Sequence, residues 1–129
     1  MSLVRTVARP MLGAIFIISG LDVLEKPEGR AKVAKPVVDK VAAAVPMAPS
    51  DPIAAVNLNA VVQLGGGALL ATGIVPRVAA LALATSLVPT TLAAHRFWEI
   101  QDPAQRSQQR THFLKNTAIM GGLLITALD

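Results

Sequence analysis

The feature that most constrains this chain is where its charges are missing. Residues 52–76 carry no charged side chain, and after Arg77 a second uncharged run spans 78–94, closed by His95. A helix crosses the hydrocarbon core of a bilayer in roughly 20 residues. The segment 53–75 meets that length, and at about 1.5 Å per residue the second run covers most of a core about 30 Å thick. Two shorter runs flank them. Residues 10–21 are uncharged, with the apolar pattern continuing past Asp22 to Leu24, and residues 116–128 are extended backward by Phe113 and Leu114. These reach spanning length if Arg9 and Lys115 snorkel their charged heads to the interface. The pattern predicts an all-α integral membrane four-helix bundle, with helices at about 7–24, 53–75, 78–95 and 111–128 in a single domain over 1–129. A soluble bundle is disfavoured because the 53–75 run lacks the polar stripe of a surface helix. Arg5 and Arg9 ahead of an apolar stretch also describe a secretory signal, but no small-x-small cleavage site precedes Asp22, so the first helix is expected to be retained.

Composition excludes several classes. Apolar residues make up 53% and charged residues 16%, against about 45–50% and about 25% in average soluble domains. Mean hydropathy is +0.54, and a chain this apolar is not disordered. There is no cysteine, which excludes disulfide scaffolding, a thiolate nucleophile and Cys-ligated zinc or iron–sulfur centres in this chain. The net charge of +4 does not indicate nucleic acid: the basic residues are dispersed, and only one Trp and three Phe accompany them. They flank apolar spans instead, as in membrane proteins.

The one sizeable polar excursion is 25–51, punctuated by Pro27, Pro36, Pro46 and Pro49. Within it Val37, Val38, Val41 and Val45 fall at helical spacing, with Lys35, Asp39 and Lys40 elsewhere on the wheel. Pro36 suits a first helical position and Pro46 stops a helix. The segment reads as a short amphipathic helix on the interface or capping the bundle, with an exposed loop as the alternative. Gly73 and Pro76 predict a tight turn and hence an antiparallel hairpin of the second and third helices. Residues 96–110 form a polar connection. Pro89 should kink the third helix and free a carbonyl near Thr85, within reach of the Thr85 or Thr90 hydroxyl. The glycines at 65–67 and 121–122 and the alanines of the third helix allow close helix packing, and the glycine-rich second helix is also able to drive a homodimer. Basic residues number three on the side of Arg5, Arg9 and Arg77 and nine on the other. That count favours the larger loops in the cytoplasm.

Polar groups within apolar helices are costly and are functional candidates. They are Asp22, Asn57, Asn59, Gln63, Thr91, His95, His112, Lys115 and Asn116. In a four-helix topology Asp22, Asn59, His95, Arg96, His112, Lys115 and Asn116 converge on one membrane face, with Gln63 about one turn deeper. Such a cluster is able to relay a proton, orient a quinone carbonyl or clamp an anion. It is equally able to pair helix ends as a purely structural device. Trp98 suits an interfacial anchor. No phosphate loop, flavin motif, haem-attachment motif, metal-ligand spacing or Ser–His–Asp pattern is readable, so no resident cofactor or metal is expected and the chain is not expected to be catalytic alone.

The run Gly66-Gly67-Ala68-Leu69-Leu70-Ala71-Thr72-Gly73, then Arg77 with Ala79-Ala80-Leu81, then His95-Arg96-Phe97-Trp98 and Phe113-Leu114-Lys115-Asn116 resembles the DoxX family of small bacterial membrane proteins. The first helix, ending Ser19-Gly20-Leu21, fits the same pattern. The resemblance implies a four-helix protein of the bacterial plasma membrane. The family is named after a subunit of a thiosulfate:quinone oxidoreductase, and other members resemble membrane partners of soluble redox enzymes. Its polar positions correspond here to Gln63, Arg77, His95, Arg96, Trp98, Lys115 and Asn116, whereas Asp22 stands where a basic residue is expected. Two functions follow as expectations. One is a non-catalytic subunit or anchor of a quinone- or sulfur-linked oxidoreductase complex. The other is a binder or transporter of a quinone-like or lipid-like molecule, built on Gln63, His95, Arg96, Asn116, Lys115 and Asn59. The lipid bilayer is the expected partner in either case, with a homo-oligomer as a further option and no nucleic acid.

Overall fold

A computed structural model describes residues 2–129, all of whose regular structure is helical. The elements are α1 (Leu3–Glu25), α2 (Pro27–Ala44), α3 (Pro52–Thr72), α4 (Pro76–Ala94), a 3-10 turn η1 (Phe97–Glu99) and α5 (Pro103–Leu128). Three stretches have the length and apolar composition to cross a membrane: Leu3–Glu25, Pro52–Thr72 and Pro76–Glu99. α5 has 26 residues, but Arg106, Arg110 and Lys115 make its first half polar, and it does not join those three by composition.

Helix boundaries follow local chemistry. α3 and α5 each begin at an Asp–Pro pair. Asp51 accepts a hydrogen bond from the Ala54 amide at 3.3 Å and Asp102 one from the Gln105 amide at 3.3 Å. Each proline then occupies a first-turn position whose amide has no helical partner. This corrects the expected start of the last helix at 111, because the polar stretch after 103 is helical. α3 ends at Thr72 rather than 75, because Gly73 turns left-handed at φ 76. The Gly73 and Ile74 amides bond back to the Leu70 and Leu69 carbonyls at 3.1 and 3.0 Å. Val75, also left-handed at φ 42, strains the turn before Pro76 opens α4. α2 is longer than the expected helix beginning at Pro36: Pro27 takes the first turn and Pro36 lies inside. The amide that Pro36 lacks leaves the Lys32 carbonyl unpaired, which exposure of that helix face makes tolerable.

α1 and α3 pack antiparallel through glycine. A Cβ at Gly13 would stand 2.6 Å from the Gly67 carbonyl oxygen, and one at Gly20 would stand 2.7 Å from that of Ala60. Ala60, Leu64, Gly67 and Ala71 thus form the α3 seam against α1. The next seam round the helix, Gly66 and Leu70, meets Leu83 and the core of Phe16, Ala79, Ala80, Leu87 and Leu123. Two of the three consecutive glycines are therefore used within the chain, and only Gly65 faces open space. Outward faces carry large exposed apolar side chains such as Met11, Ile18, Leu58, Val61, Leu81 and Ile125, the surface of a protein solvated by lipid rather than water.

The helix ends sort into two faces. The Arg5 guanidinium donates to the Asp129 carboxylate at 2.5 Å and Arg77 donates to the Asp129 backbone carbonyl, so the starts of α1 and α4 meet the end of α5. The hydrogen bond from Arg5 holds the Asp129 carboxyl below the usual carboxylate range. The end of α1, α2, the start of α3, the end of α4 and the start of α5 lie at the other end.

Substitution Gly20→Ala drives a methyl into backbone and should lower stability by about 1–3 kcal/mol. Gly65→Ala, with nothing within 4 Å of the added carbon, should be neutral or slightly stabilising. Thermal unfolding of both variants in the same detergent checks the contrast.

Candidate pocket between α2, α3 and α4

Asn59 and Gln63 are one turn apart on α3, on the side that faces α4. In apolar surroundings such amides need partners, and α4 supplies them from Ser86 and Thr90, again one turn apart. Ser86 Oγ donates to Asn59 Oδ1 at 2.5 Å, Asn59 Nδ2 donates to Thr90 Oγ1 at 2.8 Å, and Gln63 Nε2 donates to the same hydroxyl at 3.4 Å. Thr90 Oγ1 gives its own proton to the Ser86 carbonyl at 2.9 Å. Gln63 is 3% exposed and Ser86 6%.

This polar group forms part of the wall of a cavity of about 660 Å³ between α2, α3 and α4. The rest of the lining is largely apolar. α2 contributes Val33, Val37 and Val41, its C-terminal flank Val45, and α4 Ala82, Ala93 and Ala94. Small residues on α4 leave the space that larger ones would fill. Pro89 also lines it and has no amide, so the Thr85 carbonyl one turn earlier lacks its helical donor. The Thr85 hydroxyl is engaged elsewhere, on the Leu81 carbonyl at 2.9 Å. Arg30 lies on the lining as the sole charged group.

The other candidate residues lie apart from this pocket. Asn116, 6% exposed, donates to Thr91 Oγ1 at 2.9 Å between α5 and α4, beside a notch of about 200 Å³. His95 pairs with Gln109 through Nδ1 at 2.7 Å and stacks on His112 with ring centroids 5.1 Å apart. Phe97, Trp98 and Phe113 pack edge to face next to it, and Trp98 remains half exposed as an interfacial anchor would. Arg96 turns to Glu99 at 3.5 Å. Lys115 and Asp22 are exposed and make no ion pair among the described residues. The polar residues thus form three local groups along one end rather than a single cluster. No group of three or more metal-ligating side chains occurs among the described residues. Ser86, Gln109 and Arg30 are the contributors that the sequence reading did not single out. A Ser and a Thr at i, i+4 on an apolar helix were the available signal for the α4 half of the network.

The DoxX family model matches residues 4–96. The chain belongs to the DoxX family. The match contains all of α1 but its first residue, α2 to α4 and the entire pocket, whereas the Phe113-Leu114-Lys115-Asn116 stretch of α5 lies outside it. No curated protein and no solved structure matches the chain. Family membership and three apolar helices make this a multi-pass integral membrane protein of the DoxX type.

Thr90 is the point on which both amides converge. Thr90→Val keeps the shape and removes the shared acceptor, leaving the Asn59 Nδ2 and Gln63 Nε2 donors without it while Ser86 still bonds Asn59 Oδ1. The expected loss is about 1–3 kcal/mol of stability, read as a lower melting temperature in detergent. Thr72→Val, whose hydroxyl only bonds back to Ala68 and Leu69 of its own helix, should leave the melting temperature nearly unchanged.

Proposed function

We propose that this DoxX protein holds a lipid-soluble small molecule, quinone-like or lipid-like, in the pocket between α2, α3 and α4. The observation that carries the reading is the pairing of a cavity of about 660 Å³ with apolar walls and one compact polar group, Asn59, Gln63, Ser86 and Thr90. Small-molecule sites have volumes of roughly 300–1,000 Å³, apolar walls and a few convergent polar groups. Two of the cavity's three walls, α3 and α4, are membrane-crossing helices, so a ligand dissolved in the bilayer reaches it from the side of those helices.

The wider setting is part of the same proposal. The apolar half of α5, with Leu124, Ile125 and Leu128 facing outward, serves as a fourth span, which makes the chain a single four-helix membrane domain in the bacterial plasma membrane. Lacking a redox-active side chain such as cysteine, the protein acts as a non-catalytic partner of a membrane-associated oxidoreductase, presenting or receiving the molecule that the enzyme turns over. Gln63 and Asn59 hold the ligand's polar end. The group of His95, Gln109 and His112, and the Asn116–Thr91 pair, hold α5 against α4.

The test is purification of the full chain from native membranes in mild detergent, with solvent extraction and mass spectrometry of whatever co-purifies. The expected result is a lipid-soluble molecule at near-stoichiometric amount, lost in Gln63→Leu while helicity and monodispersity persist. Recovery of no such molecule from wild-type protein, or equal recovery from Gln63→Leu, overturns the binding reading. A redox enzyme in stoichiometric amount with an empty pocket would leave the anchor role alone standing.

A further inference from the structure

Resting on that pocket reading, the hydrogen-bond directions within the polar group define the kind of head it accepts. Thr90 has one hydroxyl proton, and that proton is on the Ser86 carbonyl. Its oxygen therefore meets Asn59 and Gln63 only as an acceptor, and both amides turn their nitrogens toward it. The Ser86 proton on Asn59 Oδ1 fixes the Asn59 amide the same way from its other side. The orientation of Gln63 follows: with Nε2 on Thr90, Oε1 points away from it. No described residue donates to Gln63 Oε1; the residue is 3% exposed, and this oxygen keeps some open surface, since the fully enclosed side-chain atom without a partner among the described residues is Asn57 Oδ1. Gln63 lines the cavity, and so does Thr85, whose carbonyl has lost its donor to Pro89. Each amide also keeps one N–H not used on Thr90.

We propose that the pocket selects an uncharged amphiphile whose head is a hydroxyl group: an alcohol or phenol on a long apolar body, which narrows the quinone-like class to its reduced, phenolic form. A hydroxyl gives its proton to Gln63 Oε1 and accepts an amide N–H in return, so one head answers both kinds of open group, acceptor and donor. A head that only accepts, such as an ether or a ketone, answers the N–H groups but sets its lone pairs against Gln63 Oε1 and leaves that oxygen unsatisfied. A carboxylate meets the same opposing oxygen with no cation near the amides. Its only cationic partner on the lining is Arg30, which is exposed at the α2 side. The opposite placement, an acid head at Arg30 with its tail reaching inward, is the arrangement that the experiment must separate from this one.

The experiment uses the full chain in detergent, immobilised for scintillation proximity, with tritiated 1-hexadecanol as probe. Unlabelled 1-hexadecanol, its methyl ether and palmitate compete. The expected result is displacement by the alcohol at a concentration about fivefold below that needed for the ether, the effect of one hydrogen bond to an otherwise unmet acceptor. In Gln63→Met the alcohol and the ether should compete about equally. Equal competition in the wild-type protein, or stronger competition by the ether, overturns the hydroxyl selection and leaves the pocket reading intact. Palmitate as the strongest competitor, with its advantage lost in Arg30→Gln, also overturns it in favour of an acid held at the rim. Binding of none of the three probes overturns both the selection and the pocket reading. The wild-type ratio decides the question even if Gln63→Met fails to fold.

Discussion

The contact between the backbones of α1 and α3 sets the rest of the structure. In lipid, burying apolar side chains between helices gains little, because the tails outside are as apolar as the core. Association depends on close packing, and Gly13, Gly20 and Gly67 let two backbones approach to a distance at which a Cβ would overlap a carbonyl oxygen. That contact fixes the rotation of α3 about its own axis. With Ala60, Leu64, Gly67 and Ala71 turned to α1, the positions one residue earlier, Asn59, Gln63, Gly66 and Leu70, necessarily turn toward α4. The polar pocket is thus a consequence of where the glycines are, although none of them lines it.

Once turned inward, the two amides impose direction on α4. A carbonyl or an amide left bare in hydrocarbon costs several kcal/mol, so hydroxyls at the matching height on α4 are required. Ser86 and Thr90 meet that requirement at one turn's spacing, and the network they form has a sense: protons run from Ser86 to Asn59, from both amides to Thr90, and from Thr90 back to the Ser86 carbonyl. A closed arrangement of this kind tolerates no amide flip, since reversing either amide sets an oxygen against the saturated Thr90 oxygen. Rigidity of the polar group is what turns a greasy cavity into a surface with defined donors and acceptors.

Much of this was legible in the sequence. The uncharged runs located α1, α3 and α4, because desolvating a charge in hydrocarbon is a strong enough penalty to leave a visible gap. The Gly73–Pro76 turn was equally plain, since only a left-handed residue closes a helix so abruptly. Asn59 and Gln63 stood out as polar residues inside an apolar run, and the meeting of His95 with His112 followed from antiparallel topology. Less visible were the full extents of α2 and α5. Both begin at a proline within a polar stretch that reads as a loop, and only the Asp102–Pro103 pairing marks the start of α5 as a cap. The division of the polar residues into three groups was not legible either. Sharing one end of the molecule fixes height along the helices, whereas contact depends on azimuth, and that is set by packing. Arg96 and Lys115 are at the right height and face elsewhere. Ser86 and Thr90 signalled themselves only by their i, i+4 spacing, which does not point to α3, since Ser and Thr in apolar helices usually just bond back to the preceding turn, as Thr85 does here.

The cavity itself raises a question of energy. Interiors are packed without large voids, and deleting buried atoms destabilises a protein by about 24 cal/mol per Å³ of space left behind. That scale applies to enclosed voids, whereas this space of about 660 Å³ is a groove open on one side, with exposed Val33, Leu58 and Met47 on its lining. It is therefore filled from outside the protein without a void cost. α2 forms its outer wall. It is joined to α1 at Lys26 and to α3 through residues 45–51, with prolines at 46 and 49, and its inner face is a row of valines without a polar bond to α3 or α4 among the described residues. By contrast the floor, Asn59 and Gln63 on Ser86 and Thr90, is fixed by directional hydrogen bonds. The apolar wall and the directionally bonded polar floor thus belong to different elements, and Lys32, Lys35 and Lys40 keep the opposite face of α2 polar.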